Sequence, residues 1–183
     1  MMMKQGIRIL ALNDSPFAFS DRKSRMIGIV GRRGIVEGVL SFSVSVDGDD
    51  STMGIIRAVK RSRFADQIRV IALNGTVTAG LNAVDMAKVH KALGVQPLAI
   101  TRKRPRHTLL ESVARKRLGS EKSKTIRKLN DSLETYRARG YYVQRLRMSE
   151  KPSPELVELC VSLLRLAHLV ASGVARGESS GRI

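Results

Sequence analysis

Apolar and polar positions alternate with a period of two through the first third of the chain. Ile7, Ile9 and Ala11 fall on one side of residues 6–12 and Leu10 and Leu12 on the other, which predicts a first strand. Asn13-Asp14-Ser15-Pro16 ends it, because Pro16 has no donor for a ladder. Residues 26–31 and 35–46 predict two more strands, joined by the tight turn Arg32-Arg33-Gly34. Short polar turns between three strands point to an antiparallel meander. The period then changes. Ile55, Ile56 and Val59 form the stripe of a helix over 52–62, with Asp49, Asp50 or Ser51 as its cap. The unbroken apolar run of residues 68–73 predicts a strand buried at the centre of a sheet, ended by Asn74-Gly75. A helix over 82–93 closes at Gly94, and 97–101 is a short fifth strand.

Beyond residue 101 the pattern is less regular. A basic loop, Arg102 to His107, leads into helical stretches at 108–118 and 121–138 that meet at Gly119-Ser120. Residues 141–146 suit a strand. Pro154 opens a long apolar helix to Ser172, and a loose Gly/Ser-rich tail runs from Gly173 to Ile183. The order β-β-β-α-β-α-β-α is that of a mixed α/β domain in the ribonuclease-H-like arrangement, a fold-level analogy. One domain over residues 1–183 is expected, with 101–147 as a basic, largely helical insertion.

Charge sharpens this picture. The 183 residues carry 33 Lys and Arg against 16 Asp and Glu, a net charge of +17. Residues 1–100 contribute +6 and residues 101–147 contribute +11. Such an excess points to a polyanionic partner. The densest basic groups are Arg102, Lys103, Arg104 and Arg106, then Arg115, Lys116 and Arg117, then Lys122, Lys124, Arg127 and Lys128. Acids placed to pair with them at i,i+4 are scarce, so nucleic-acid contact is favoured over a solvated helix face. RNA or a ribonucleoprotein is slightly favoured over DNA, because no major-groove reading motif is visible. Tyr136, Tyr141 and Tyr142 suit either base stacking or inward packing. Cys160 is the one cysteine, which excludes an internal disulfide and reads as a small buried apolar residue. No apolar run reaches the ~18 residues of a membrane span, and Met1 to Gln5 lack a signal-peptide pattern, so a cytoplasmic protein with no membrane partner is expected.

Catalytic chemistry on such a fold would need carboxylates at neighbouring strand ends, holding Mg²⁺ or Mn²⁺ by oxygen ligands. Asp14, Asp47 and Asp50 are candidates, with Asp85 further along. Each also suits a turn or a helix cap. His168, in an apolar helix, suits either a packed histidine or a catalytic one.

Four stretches carry a resemblance: Ile9 to Phe17 (ILALNDSPF), Gly38 to Gly48 (GVLSFSVSVDG), Asp66 to Asp85 (DQIRVIALNGTVTAGLNAVD) and Leu164 to Gly173 (LRLAHLVASG). In this order they resemble an archaeal family known as domain of unknown function 99, itself similar to endonuclease V. The resemblance covers most of 7–100 and about 155–178. It implies a ribonuclease-H-like fold and Mg²⁺-dependent cutting of DNA or RNA near deaminated purine. It also implies acids at the ends of strands one, three and four and a histidine on the last helix. Those positions fall on Asn13 (beside Asp14), Asp47, Asn74 and His168. Two of the four are therefore amides, which can ligate a cation but bring it no charge. At an effective dielectric of ~20 and about 4 Å, each lost ion contact is on the order of 4 kcal/mol before desolvation. Even a small fraction of that weakens divalent binding by about tenfold or more. Asp14 cannot simply replace Asn13, since adjacent strand residues face opposite ways. The expectation is a nucleic-acid-binding protein on an endonuclease-V-like scaffold, its nuclease activity weakened or lost. No cofactor is needed unless cleavage survives, in which case it is Mg²⁺ or Mn²⁺ with Asp47 as a metal ligand. The alternatives are an active metal-dependent endonuclease using Asp14, Asp47, Asp50 and His168, and a non-catalytic subunit of a larger complex.

Overall fold

The computed structural model describes residues 6–18 and 20–179, so the residues read above as lacking a signal peptide, and the last four of the tail, lie outside the described part. Three strands form the expected meander: β1 (Arg8–Asp14), β2 (Lys23–Arg32) and β3 (Ile35–Ser45). Arg33 and Gly34 alone turn the β2–β3 hairpin, with φ of 51° and 80°, the doubly left-handed backbone that matches strand twist. Helix α1 (Ser51–Arg61) follows, then β4 (Ile68–Leu73) on the predicted residues.

Where a helix was expected from residue 82, the chain instead forms a small hairpin, β5 (Val77–Thr78) with β6 (Asn82–Ala83). Helix α2 (Met86–Leu93) starts later because the Asp85 carboxylate accepts the Lys88 backbone N–H at 2.8 Å and caps it there. Asp85 is thus a helix cap. Strand β7 (Gln96–Thr101) leads to helices α3 (His107–Leu118) and α4 (Ser120–Asp131). The segment after residue 101 is less helical than its composition suggests. The second helix stops at Asp131, and β8 (Leu133–Ala138) and β9 (Tyr141–Leu146) are strands. Alternation decides this: Glu134, Thr135, Tyr136 and Arg137 pair with β9, and Tyr136 packs beside Val143 on one face.

All but the β5–β6 hairpin join one sheet in the order β3-β2-β1-β4-β7-β9-β8. β1, β4 and β7 are parallel, while the strands on either side run antiparallel. α1 and α2 cover one face around Leu10, Leu12, Ile71 and Leu73. The other face, with Ile9, Ala11, Val70 and Ile100, takes α5 (Pro154–Arg176). That helix is capped by the Ser153 side chain accepting from Leu156 N, with Pro154 in its first turn. It is the one described helix long and apolar enough to cross a membrane, but its stripe from Val157 to Ala171 is packed on the sheet. Cys160 lies in that stripe, and burial pushes its thiol pKa up to about 12. The α3–α4 hairpin is held more lightly, through Ala114 and Ile126 against Leu81.

Candidate nucleic-acid interface and an amide pocket

β1 and β4 are parallel neighbours in register at Leu12 and Leu73. The next residue of each, Asn13 and Asn74, therefore emerges side by side at the carboxyl end of the sheet, where open α/β sheets place their ligands. On β1, Ile9, Ala11 and Asn13 face α5. The small residues Ala167 and Ala171 let that helix approach closely and bring His168 over the same strand end.

The three side chains form a hydrogen-bonded chain. Asn74 Nδ2 donates to Asn13 Oδ1 at 3.3 Å, and Asn13 Nδ2 donates to His168 Nδ1 at 3.2 Å and to the Asp14 carbonyl at 3.1 Å. A donated hydrogen at Nδ1 leaves the His168 proton on Nε2. Beside them lies a cavity of about 220 Å³ lined by Asn74, His168, Arg102 and Tyr141 among others. Tyr141, read from sequence as suited to stacking or inward packing, lines this cavity; its place beside His168 was not legible, since nothing in the pattern showed β9 beside β7.

Asp14 faces away from that chain, as strand alternation requires. Its Oδ2 accepts the Ala79 N–H at 2.9 Å. Burial pushes its carboxyl pKa above the ordinary 3.8, against the pull of the Ala79 hydrogen bond and of His168. An acid whose pKa rises on folding stabilises the fold below its unfolded pKa and loses that contribution as pH rises through the folded value. Asp14→Asn keeps an acceptor for Ala79 without the charge. Its melting temperature relative to the parent should therefore climb between about pH 3 and about pH 7, checked by calorimetry. A constant difference would rule out this account of Asp14.

Asp47 and Asp50 hold loops together and do not touch Asn13, Asn74 or His168. Asp47 has a left-handed backbone, φ 55°. Its N–H donates to the Ala79 carbonyl at 2.9 Å, its Oδ1 accepts from Leu81 N at 2.9 Å, and its Oδ2 meets Arg117 Nη2 at 2.7 Å. A Cβ on Gly80, whose φ is +85°, would lie 2.3 Å from Asp47 Oδ1, so only glycine lets the loop close around that carboxylate. Asp50 stands at the N-cap of α1 but makes no cap bond. It accepts instead from Ser45 N at 2.9 Å, Ser45 Oγ at 2.9 Å and Asn82 Nδ2 at 2.7 Å. Burial acts to raise the Asp50 pKa, but these hydrogen bonds outweigh it and the net shift is downward. The expected convergence of acids fails because each carboxylate answers unpaired backbone donors nearer to it in the chain or in the 79–82 loop. Asn82, fully buried, was missed; read as a helix start, it gave no signal of its role as a joint between β3 and α1.

The basic cluster divides in two. Arg102 lines the His168 cavity, and Lys103, Arg104, Arg106, Arg115, Lys116 and Lys128 are exposed. The others have acidic or backbone partners that lie far away in sequence or were not expected. Arg117 binds Asp47, and Lys122 is buried with Nζ 2.5 Å from the Gly48 carbonyl and 2.6 Å from Asp49. Lys124 pairs with Glu121 at 2.8 Å and Arg127 with Glu111 at 2.7 Å. The Lys124–Glu121 pair is solvent-exposed and is worth at most about 1 kcal/mol, so Lys124 can open to a phosphate, while Arg127 is exposed against a mostly buried Glu111. Lys122 cannot, being 9% exposed and fixed to the β3–α1 loop. Tyr136 points inward, its hydroxyl buried.

The sequence pattern that defines Endonuclease dU matches residues 5–175. The chain belongs to the Endonuclease dU family. The matched range runs across residues 101–147 as well. Among relatives of this Endonuclease dU member, a UPF0215 protein of Thermococcus kodakarensis is 35% identical, over 97% of this chain and 96% of the relative. One of Methanothermobacter thermautotrophicus is 33% identical, over 98% and 93%. Among solved structures, a protein of unknown function from Archaeoglobus fulgidus superposes with a TM-score of 0.80 at 29% identity, covering 92% of this chain and 98% of that one. The catalytic domain of human endonuclease V gives a TM-score of 0.54 at 15% identity, covering 93% and 83%. The fold is thus that of endonuclease V, the ribonuclease-H-like arrangement expected from the strand order.

The divalent ion implied by that fold does not fit the residues present. Two of the strand-end positions are neutral amides already bonded to each other, and Asp14 faces the opposite side. Among the described residues, no three His, Cys, Asp or Glu side chains stand close enough to share an ion.

Proposed function

We propose that this Endonuclease dU member is a cytoplasmic nucleic-acid-binding protein whose metal-dependent cleavage is weakened or lost. One observation carries the reading: the contact between Asn74 Nδ2 and Asn13 Oδ1 at 3.3 Å, at the strand ends where carboxylates would have to stand apart around a cation. A donor facing an acceptor there makes a stable neutral pair, whereas two carboxylates at that distance would repel. With the site uncharged, the exposed Arg102, Lys103, Arg104, Arg106, Arg115 and Lys116 dominate the local potential and favour phosphate. RNA or a ribonucleoprotein is the preferred partner.

Binding should be measured with labelled single-stranded RNA and DNA. Affinity should fall by more than about tenfold between about 50 and about 200 mM salt, because counterions released from phosphates return to them. Binding that ignores salt would defeat the reading. The second reading, an active nuclease, draws on the family's description and on Asp14, the carboxylate next to Asn13 at the end of β1. Deoxyuridine- and inosine-containing substrates incubated with Mg²⁺ or Mn²⁺ separate the two. Cleavage that disappears in Asp14→Ala would establish the second reading and end the first.

A further inference from the structure

The strand order leaves β3 at one margin of the sheet, paired with β2 on one side only. Val46 N donates to Arg22 O at 3.1 Å on the β2 side, while Ser45 N donates to the Asp50 carboxylate on the other. Alternation from there turns the N–H and C=O of Val39, Ser41 and Ser43 away from β2. Among the described residues no group bonds them. Long free edges are ordinarily blunted by Lys, Pro or a covering element. From Gly38 to Ser45 this strand has no charged residue and no proline, and its one acid, Glu37, is taken by Arg8 and Arg32. The opposite margin, β8, is only six residues long and carries Glu134 and Arg137. α1 runs beside the β3 edge. Gly54 near its start lets it approach Phe42, where a Cβ would lie 3.2 Å from the ring, and Phe64, just past its end, lies against Gly38. A groove of about 390 Å³ is left between helix and edge, floored by Leu40, Phe42, Gly54 and Ala58 and walled by Arg57 and Arg61. Both arginines are exposed, and neither has an acidic partner among the described residues. Four residues of helix rise about 6 Å and two residues of strand span about 6.8 Å. Arg57 and Arg61 are therefore spaced to meet alternate side chains of a strand lying along the groove.

We propose that the β3 edge takes up an extended acidic segment of another protein as an added strand, with carboxylates at alternate positions meeting Arg57 and Arg61. The free N–H and C=O groups supply the ladder, and the two arginines choose the sequence. Charge complementarity selects this occupant. A second copy of this chain would bring the same two cations to the seam from both sides, with a net charge of +17 on each molecule. A nucleic acid could neutralise Arg57 and Arg61, but it has no repeating donor–acceptor backbone to continue the sheet. β2 separates β3 from β1, so the added strand lies clear of Asn13 at the end of β1. The proposal does not depend on the nucleic-acid reading above.

The test uses the full chain and an acetylated, amidated octapeptide of alternating valine and aspartate. Backbone amide NMR signals of Val39, Ser41 and Ser43 are followed. The peptide should shift all three and slow their hydrogen exchange by at least about tenfold as ladder bonds form. The same peptide with lysine in place of aspartate should leave them in place. Arg57→Ala combined with Arg61→Ala, both at exposed positions, should weaken the acidic peptide by roughly tenfold, the worth of two exposed ion pairs. Ser41→Pro removes an outward donor without breaking a bond to β2, and should end binding while the melting temperature holds. If that variant unfolds, the arginine pair still decides. No binding of the acidic peptide at about 1 mM would overturn the proposal, as would binding that leaves the three amides unmoved or is matched by the lysine peptide. So would amides already protected by self-association of the free chain, seen by sedimentation, or a deoxythymidine hexanucleotide that moves them as the peptide should.

Discussion

Asn13→Asp combined with Asn74→Asp should raise Mg²⁺ affinity by at least about a hundredfold, a change of about 2.7 kcal/mol. That is well below the ~4 kcal/mol per ion contact expected at an effective dielectric of ~20, and so leaves room for desolvation. The two side chains approach to 3.3 Å. Without a cation, carboxylates there repel, so the double variant should melt below the parent in a chelator and recover when Mg²⁺ is added. His168 Nδ1, now facing an acceptor, takes a proton, and the imidazole proton pattern seen by NMR should change accordingly. Calorimetry with Mg²⁺ and Mn²⁺ decides the matter. A parent protein that binds Mg²⁺ as tightly as the double variant would refute the account of a neutralised pocket.

Asp50→Ala should be the most destabilising change at a polar residue, on the order of 3 kcal/mol. It removes the acceptor for Ser45 N, Ser45 Oγ and Asn82 Nδ2 together, and Asn82 has no access to water that could replace it. The Asp50 pKa is lowered on folding, so its contribution is present above the ordinary carboxylate range and lost as pH falls through the lowered value. The gap between variant and parent in urea unfolding should therefore shrink in acid. Asp50→Asn, which keeps one acceptor oxygen, should cost less. A loss for Asp50→Ala of only a few tenths of a kcal/mol would contradict the picture of Asp50 as a joint.

Strands defined by alternation or by an unbroken apolar run were legible in the sequence. β4 appears on the predicted residues, and the meander and long last helix fall close to their expected bounds. Several of the misread parts have partners remote in sequence. The helix expected from residue 82 yields to a hairpin because Asn82 is held by Ser51 and Ser45, 31 and 37 residues away. Basic residues that looked unpaired at helical spacing find acids across the fold, Arg117 at 70 residues and Lys122 at 73. The strand-end cluster of Asn13, Asn74 and His168 came from the resemblance, which assigned three separate blocks to one place. Charge and spacing alone had grouped Asp14, Asp47 and Asp50, and those three instead satisfy donors of the 79–82 loop and of Ser45.

The cluster joins residue 13 to residue 168, a separation of 155 positions. During synthesis the meander leaves the ribosome long before α5 does, with the face bearing Ile9, Ala11 and Ile29 still bare. Those nascent strands offer apolar surface but no assembled pocket until α5 has been made. Any affinity that depends on the strand ends is thereby withheld from chains that still lack α5, while the basic α3–α4 segment has already emerged.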